Sequence, residues 1–122
     1  MAEAYLAAGR VEEAVPLAQL YVDMTKMVNG RGHVAQALHL QGDVAARRDP
    51  PDVGTAEAAL DESLALAREL GMRPLEARVM LTRGHLLSRM GKVDQARTLI
   101  ATAADRFAAL DMPAWVAACL YE

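Results

Sequence analysis

The stretch GHLLSRMGKVDQARTLIATA, residues 84–103, predicts one helix, a break at Gly91 and a second helix after it. From Val93 to Leu110 the second helix places apolar side chains three and four positions apart, which is the spacing of one helical face. A similar stripe runs from Val53 to Leu70, and another runs from Val11 to Val28. Because the stripes are offset by 40 and 42 residues, the chain is predicted to be a helical repeat.

The composition agrees with a helical chain. Hydrophobic residues make up 53% of the 122 residues, but only 4% are aromatic, and much of the apolar content is alanine. Alanine favours closely packed helices, whereas strands favour β-branched and aromatic residues. We therefore expect an all-α chain, and a helical repeat of this kind predicts a binding scaffold without enzymatic activity.

Charge, cysteine content and hydropathy limit the partners and the cellular compartment that we expect for this chain. The net charge of −3 provides no overall attraction to nucleic acid or to an anionic membrane. The single cysteine, Cys119, has no intrachain partner, so we predict a buried thiol in a cytoplasmic protein. The sequence also lacks the run of about 18 apolar residues that a membrane span needs, and its start does not have the pattern of a secretion signal.

Breaks in the periodicity predict about seven helices. The first would occupy residues 2–8 and end at Gly9, and its missing start leads us to expect a fragment of a longer chain. The others are predicted at residues 11–28, 32–48, 53–70, 73–90, 92–110 and from Pro113 onward. Pro16 predicts a late start or a bend in the second of these helices. Asp52 is expected to cap the helix that follows it, and Pro74 is expected in a first helical turn.

Several residues, most of them small, occur at the spacing of a known repeat signature. They are Gly84, Leu87, Gly91, Ala96 and Ala103 in one copy, Gly42, Ala45, Ala56 and Ser63 in the copy before it, and Tyr5, Gly9 and Ala14 in the first. The chain thereby resembles tetratricopeptide repeats, in which a small residue lets helices A and B approach. That resemblance implies antiparallel hairpins stacked in a right-handed superhelix. It divides the single domain, residues 1–122, into a partial repeat (1–30), two repeats (31–71 and 72–111) and a C-terminal capping helix (112–122).

A longer run extends the resemblance. The segment RRDPPDVGTAEAALDESLALARELGMRPLEA, together with the later GHLLSRMGKVDQAR and LDMPAW, is similar to the C-terminal repeats of large bacterial regulators. Those regulators resemble adenylate or guanylate cyclases, or transcriptional regulators with an ATPase domain. Any cyclase or ATPase chemistry would then lie outside these 122 residues.

The A helices of the two central repeats are rich in arginine. They carry Arg31, Arg47, Arg48, Arg73, Arg78, Arg83 and Arg89 against Asp43 and Glu76. The resemblance implies that A helices line a concave groove, here a basic one for an acidic peptide or protein domain. Its lining would be Gln36, His39, Asp43, Arg47, Arg78, Leu81, His85 and Arg89. The alternative is a helix face that is only solvated.

Other chemistry is weakly supported by the residues. His39, Asp43 and His85 could together hold zinc, but no histidine or cysteine pair accompanies them. We predict no catalytic residues and no cofactor, since no nucleophile arrangement or phosphate-binding glycine loop is present. Nucleic-acid binding is not expected either, because the A helices lack interleaved aromatic residues.

The last helix is strongly apolar. Met112, Trp115, Leu120 and Tyr121 either pack on the preceding helix as a cap or form a surface for self-association, which would give a homodimer. Self-association without any groove ligand is therefore the alternative function.

Overall fold

The computed structural model describes residues 9–28 and 30–120, and within these ranges the protein is all-α. The described helices are α1 (Val11–Met27), α2 (Arg31–Arg47), α3 (Val53–Leu70), α4 (Arg73–Arg89), α5 (Val93–Ala109) and α6 (Pro113–Leu120). Each of the six lies where the sequence predicts a helix, with ends that differ by at most two residues. The helix predicted at residues 2–8 lies outside the described residues. None of the described helices has both the length and the apolar character needed to cross a membrane.

The start of α3 confirms the predicted cap. The carboxylate of Asp52 accepts a hydrogen bond from the backbone N–H of Thr55 at 3.3 Å. This bond satisfies one of the amides that a helix start leaves without an intrahelical partner, and it lowers the pKa of Asp52. The predicted place of Pro74 is also confirmed, since it is the second residue of α4. Its missing N–H costs little in a first turn.

Three helix ends share one turn geometry. Gly71, Gly91 and Asp111 follow α3, α4 and α5 with positive φ angles of 70°, 81° and 56°. At each site the next residue donates its N–H to the carbonyl five positions earlier, as in Met72 to Ala67 (2.8 Å) and Met112 to Phe107 (3.0 Å). These are the bonds of a glycine-type helix stop. The turns therefore repeat although the third one uses aspartate.

Pro16 does not delay the start of its helix. α1 begins at Val11 and contains Pro16 in its interior, so the predicted late start is wrong. Ala14 and Ala18, on either side of the proline, are completely or almost completely buried against Leu40 and Val44 of α2. Packing of this face supports the helical backbone through Pro16, where the sequence alone predicts a late start or a bend.

Helices pack mainly on their neighbours in the chain, and α2 also contacts α4. The buried side chains form small clusters along the row of helices. One cluster joins α1 to α2 around Val44, another joins α2, α3 and α4 around Leu86, and a third joins α4, α5 and α6 around Phe107. Cys119 belongs to the third cluster and is buried, as predicted.

Two glycines allow paired helices to approach closely. A Cβ atom on Gly42 of α2 would lie 2.8 Å from the Leu60 side chain of α3. A Cβ atom on Gly84 of α4 would lie 2.5 Å from Cγ1 of Ile100 in α5. Both distances are shorter than real Cβ contacts, so a larger residue at either position would have to displace the side chain opposite it. The sequence predicted this role for both residues.

Candidate functional site

Most arginines of the A-helix region are neutralised within the protein. Four of the seven form ion pairs: Arg31 with Glu69, Arg47 with Asp43, Arg48 with Glu12, and Arg83 with Asp61. The last pair crosses from α4 to α3, so the Arg83 side chain runs along the neighbouring helix. Exposed pairs of this kind contribute little to stability because solvent screens them. Their main effect here is to remove four arginines from the set available to a partner.

Arg78 is not neutralised by any described carboxylate. Its guanidinium carbon lies 5.1 Å from the centre of the Trp115 ring, which holds it by a cation–π contact. Trp115 in turn stacks on Phe107, with ring centres 5.4 Å apart and planes inclined by 19°. Nε of Arg78 is buried, and among the described residues it has no hydrogen-bond partner. Arg78 is thus fixed in place on α4 with its positive charge uncompensated.

Arg89 is the second uncompensated charge on the same side of α4. It donates a hydrogen bond to the backbone carbonyl of Ala46 in α2, and no described carboxylate pairs with it. His85 and Arg89 follow Arg78 by seven and eleven residues. These intervals are close to two and three helical turns, so the three side chains share one face of α4. We call this surface, Arg78, His85 and Arg89, the arginine face.

A buried polar contact lies next to the arginine face. Nε2 of His39 in α2 is 2.8 Å from Oγ1 of Thr82 in α4, and both side chains are buried. Burial, followed by the nearby charge of Arg78, lowers the pKa of His39 to about 4. The imidazole is therefore neutral at physiological pH, and it links α2 to α4 without adding charge.

The remaining residues of the predicted groove are dispersed. Gln36 and Arg47 are exposed on α2, and Asp43 is half-buried with its carboxylate on Arg47. His39 is buried at the contact with α4, and Leu81 is buried in the cluster around Phe107. Neither of these two presents its side chain to a partner. Helices α2 and α4 each contact three other helices, which leaves them fewer exposed positions than the repeat register implies.

The predicted self-association set is also divided. Met112 and Trp115 pack on the cluster that contains Phe107, which fits the cap interpretation for these two side chains. Leu120 is 70% exposed. Tyr121 lies outside the described residues.

Two further surfaces were not anticipated. The outer side of α1 exposes Leu20, Met24 and Met27, and a groove of about 410 Å³ lies between α5 and the end of α6. The exposed side of α1 could have been predicted by comparing equivalent positions of the repeats. Leu20 and Met27 occupy the positions that Glu62 and Glu69 hold on α3, 42 residues later.

The described residues contain no group of three or more His, Cys, Asp or Glu side chains arranged for a metal ion. His39, Asp43 and His85 are therefore not brought together as ligands. Comparison with known proteins adds no further assignment. No protein-family model, no curated protein and no solved structure matches this chain.

Proposed function

We propose that this chain is a protein-interaction module built from tetratricopeptide-like hairpins, and that the arginine face binds an acidic peptide or domain. The stacking of neighbouring helices, the contact between α2 and α4, and the equivalent close approaches at Gly42 and Gly84 support the repeat interpretation. In this proposal the hairpins form a right-handed superhelix. The module belongs to a cytoplasmic bacterial regulator and has a binding role instead of an enzymatic one.

One observation carries the proposal. Arg78 and Arg89 lie on one face of α4 without a described carboxylate partner, whereas four other arginines in the A-helix region are paired. Arginine binds carboxylates through two parallel hydrogen bonds, and a guanidinium already fixed by packing loses little entropy on binding. Arg78 is fixed by Trp115, so it is the better prepared of the two.

The spacing of the two arginines constrains the ligand. Eleven residues of helix extend about 16 Å along the axis. An extended peptide advances about 3.3 Å per residue and turns successive side chains to opposite faces, so acidic side chains about four or six positions apart would meet both arginines. We therefore expect a ligand with two separated acidic residues rather than two adjacent ones.

Fluorescence anisotropy with labelled peptides tests this proposal. One peptide carries two glutamates four positions apart, on the same face of an extended chain, and a second peptide of identical composition carries them side by side. We expect the first to bind more tightly, and we expect Arg78→Gln with Arg89→Gln to weaken it by about tenfold or more, equivalent to 1.4 kcal/mol.

The matched control removes two other arginines that lack a described carboxylate partner, Arg73 and Arg97, by the same change to glutamine. The double control variant should bind the first peptide as the wild type does. Equal loss in both double variants would indicate unspecific attraction to positive charge and would refute the arginine face. Preferential binding of a single-stranded oligonucleotide would reassign the surface to nucleic acid.

A further inference from the structure

The two central hairpins, α2 with α3 and α4 with α5, can be compared residue by residue. Gly42 of α2 approaches Leu60 of α3, and Gly84 of α4 approaches Ile100 of α5 in the same way. The two glycines are 42 residues apart, and their partners are 40 residues apart. These two intervals therefore identify the residue of the later hairpin that corresponds to any residue of the earlier one.

An arginine begins the first helix of each hairpin, but the two arginines differ in their partners. Arg31, the first residue of α2, forms an ion pair with Glu69 near the end of α3. The hydrogen bond from Arg31 lowers the pKa of Glu69, which favours the ionised carboxylate. In the later hairpin the corresponding residues are Arg73 and Ala109. Among the described residues, Arg73 therefore lacks the carboxylate that neutralises Arg31.

A cavity of about 340 Å³ lies beside Arg73 and Ala109. Its lining comprises Arg73, Glu76, Arg106, Ala109 and Leu110. Glu76 does not replace the missing partner of Arg73, because its carboxylate pairs with Arg106 at 3.5 Å. Two guanidinium groups against one carboxylate leave the lining with one surplus positive charge. We call this cavity the Arg73 pocket.

The Arg73 pocket is on the side of α4 that faces the preceding hairpin. Glu76 and Arg83 are seven residues apart, which is about two turns, so they share one face of α4. Arg83 pairs with Asp61 of α3, so this face is turned towards α3. The two helices that line the pocket have described helices before and after them, and the pocket belongs to the middle of the row.

The lining fits a small organic carboxylate. A guanidinium group binds a carboxylate through two parallel N–H donors, and Arg73 and Arg106 both border the pocket. Ala109 and Leu110 add apolar surface, which suits a short carbon chain. The volume is near the lower end of the range for small-molecule sites, which is about 300 to 1,000 Å³.

We propose that the Arg73 pocket binds a small aliphatic carboxylate, whose charged group takes the place beside Arg73 that Glu69 takes beside Arg31. The fold itself thus contains, one repeat earlier, the contact that the ligand would make. This inference goes beyond the acidic peptide and does not depend on it. Arg78 follows Arg73 by five residues, about 140° around α4, so the arginine face and the pocket are on different sides of the helix.

Nuclear magnetic resonance titration of the isotope-labelled protein with propionate tests the pocket. At constant ionic strength, propionate should shift the backbone amide signals of Arg73, Glu76 and Ala109 until the site is saturated. Propionamide, its neutral counterpart, should not shift them. Arg73→Gln should weaken propionate binding by at least about tenfold. The matched control is Arg97→Gln, which should bind as the wild type does, because Arg97 precedes Arg106 on α5 by about 14 Å of helix.

A second substitution distinguishes a filled pocket from a damaged fold. Ala109→Glu introduces a carboxylate at the position that corresponds to Glu69, so it should pair with Arg73 and abolish propionate binding without changing the far-UV circular dichroism. Unaltered propionate binding in Ala109→Glu or in Arg73→Gln would overturn the proposal, and so would equal shifts with propionamide. A blocked peptide with one glutamate that binds more tightly than propionate would assign the pocket to a partner protein's side chain instead. Arg78→Gln with Arg89→Gln should leave propionate binding unchanged, which separates this test from that of the arginine face.

Discussion

At His39 the environment in the structure differs from the one that the sequence predicts. The repeat register predicts this residue in an exposed groove, whereas the structure buries it against Thr82 at the contact of α2 with α4. A neutral imidazole suits this environment because burial and Arg78 both oppose protonation. The residue therefore supports the seam between two helices instead of contacting a ligand.

This burial predicts a pH-dependent stability. The pKa of His39 falls from 6.5 to about 4 on folding, so between these values the unfolded chain holds the proton and the folded chain does not. The free energy of unfolding should fall as pH drops from 6.5 towards 4, by an amount on the order of 3 kcal/mol. Urea titrations at several pH values measure this slope. His39→Gln should flatten it. An unchanged slope in His39→Gln would contradict the assignment.

Asp111 predicts a stabilising substitution. It adopts the left-handed conformation at φ 56° where the equivalent Gly71 has φ 70°. A side chain in this region costs roughly 1 kcal/mol, so Asp111→Gly should raise the free energy of unfolding by up to about that amount. Gly71→Ala is the reciprocal change and should lower the free energy of unfolding by a similar amount, because alanine is strained at φ 70°. A Cβ atom there would contact nothing within 4 Å, so backbone strain is the whole of the expected effect. Thermal denaturation of both variants measures the two changes. A melting temperature that falls in Asp111→Gly or rises in Gly71→Ala would contradict this prediction.

At the scale of the helices, the predictable features are those that depend on local sequence. Periodicity located all six described helices, and the small residues Gly42 and Gly84 marked their close approaches. The ion pairs were not predictable, because Arg31 with Glu69 and Arg83 with Asp61 depend on how one helix is rotated against another. For the same reason the sequence placed seven arginines together on one type of helix, although most are compensated in the structure.

The close approach at Gly84 predicts a coupled pair of substitutions. In Gly84→Ala the new Cβ atom would lie 2.5 Å from Cγ1 of Ile100, so α4 and α5 must separate. We expect a loss of about 1 to 3 kcal/mol in the free energy of unfolding, despite the better helix propensity of alanine. Ile100→Ala removes the clashing atom, so adding Gly84→Ala to it should cost much less than in the wild type.

Gly54→Ala provides the control for that pair. Gly54 lies in α3, and a Cβ atom added there would have no other atom within 4 Å, so alanine should stabilise the protein by about 0.5 to 1 kcal/mol. Chemical denaturation compares all four variants. Strictly additive effects of Gly84→Ala and Ile100→Ala would mean that the two residues are not in contact.

At the scale of the whole molecule, stability should vary along the row of helices. The described part of α6 spans eight residues and packs on α5 and α4, whereas the longer α2 has α1, α3 and α4 as neighbours. Helices at the end of such a row lose fewer contacts when they open, so they open first. Trp115, the single tryptophan, reports on α6 through its stacking on Phe107.

This gradient predicts two separate unfolding midpoints. Tryptophan fluorescence should change at a lower urea concentration than far-UV circular dichroism, because the first signal follows α6 and the second follows all helices. A control moves the reporter to the centre of the chain with Trp115→Phe and Leu66→Trp, Leu66 being partly buried on α3. Its fluorescence and dichroism midpoints should coincide. Coincident midpoints in the wild type would show a single cooperative unit instead.

The pairing of helices with their sequence neighbours also sets the pace of folding. All extensive contacts join helices one or two places apart along the chain, so only short segments of chain must close into loops when a contact forms. Chains with such low contact order refold in microseconds to milliseconds. A nascent chain could therefore form the α2–α3 hairpin before α5 has been synthesised. Folding would then proceed in the order of translation, hairpin by hairpin, without waiting for the C-terminus.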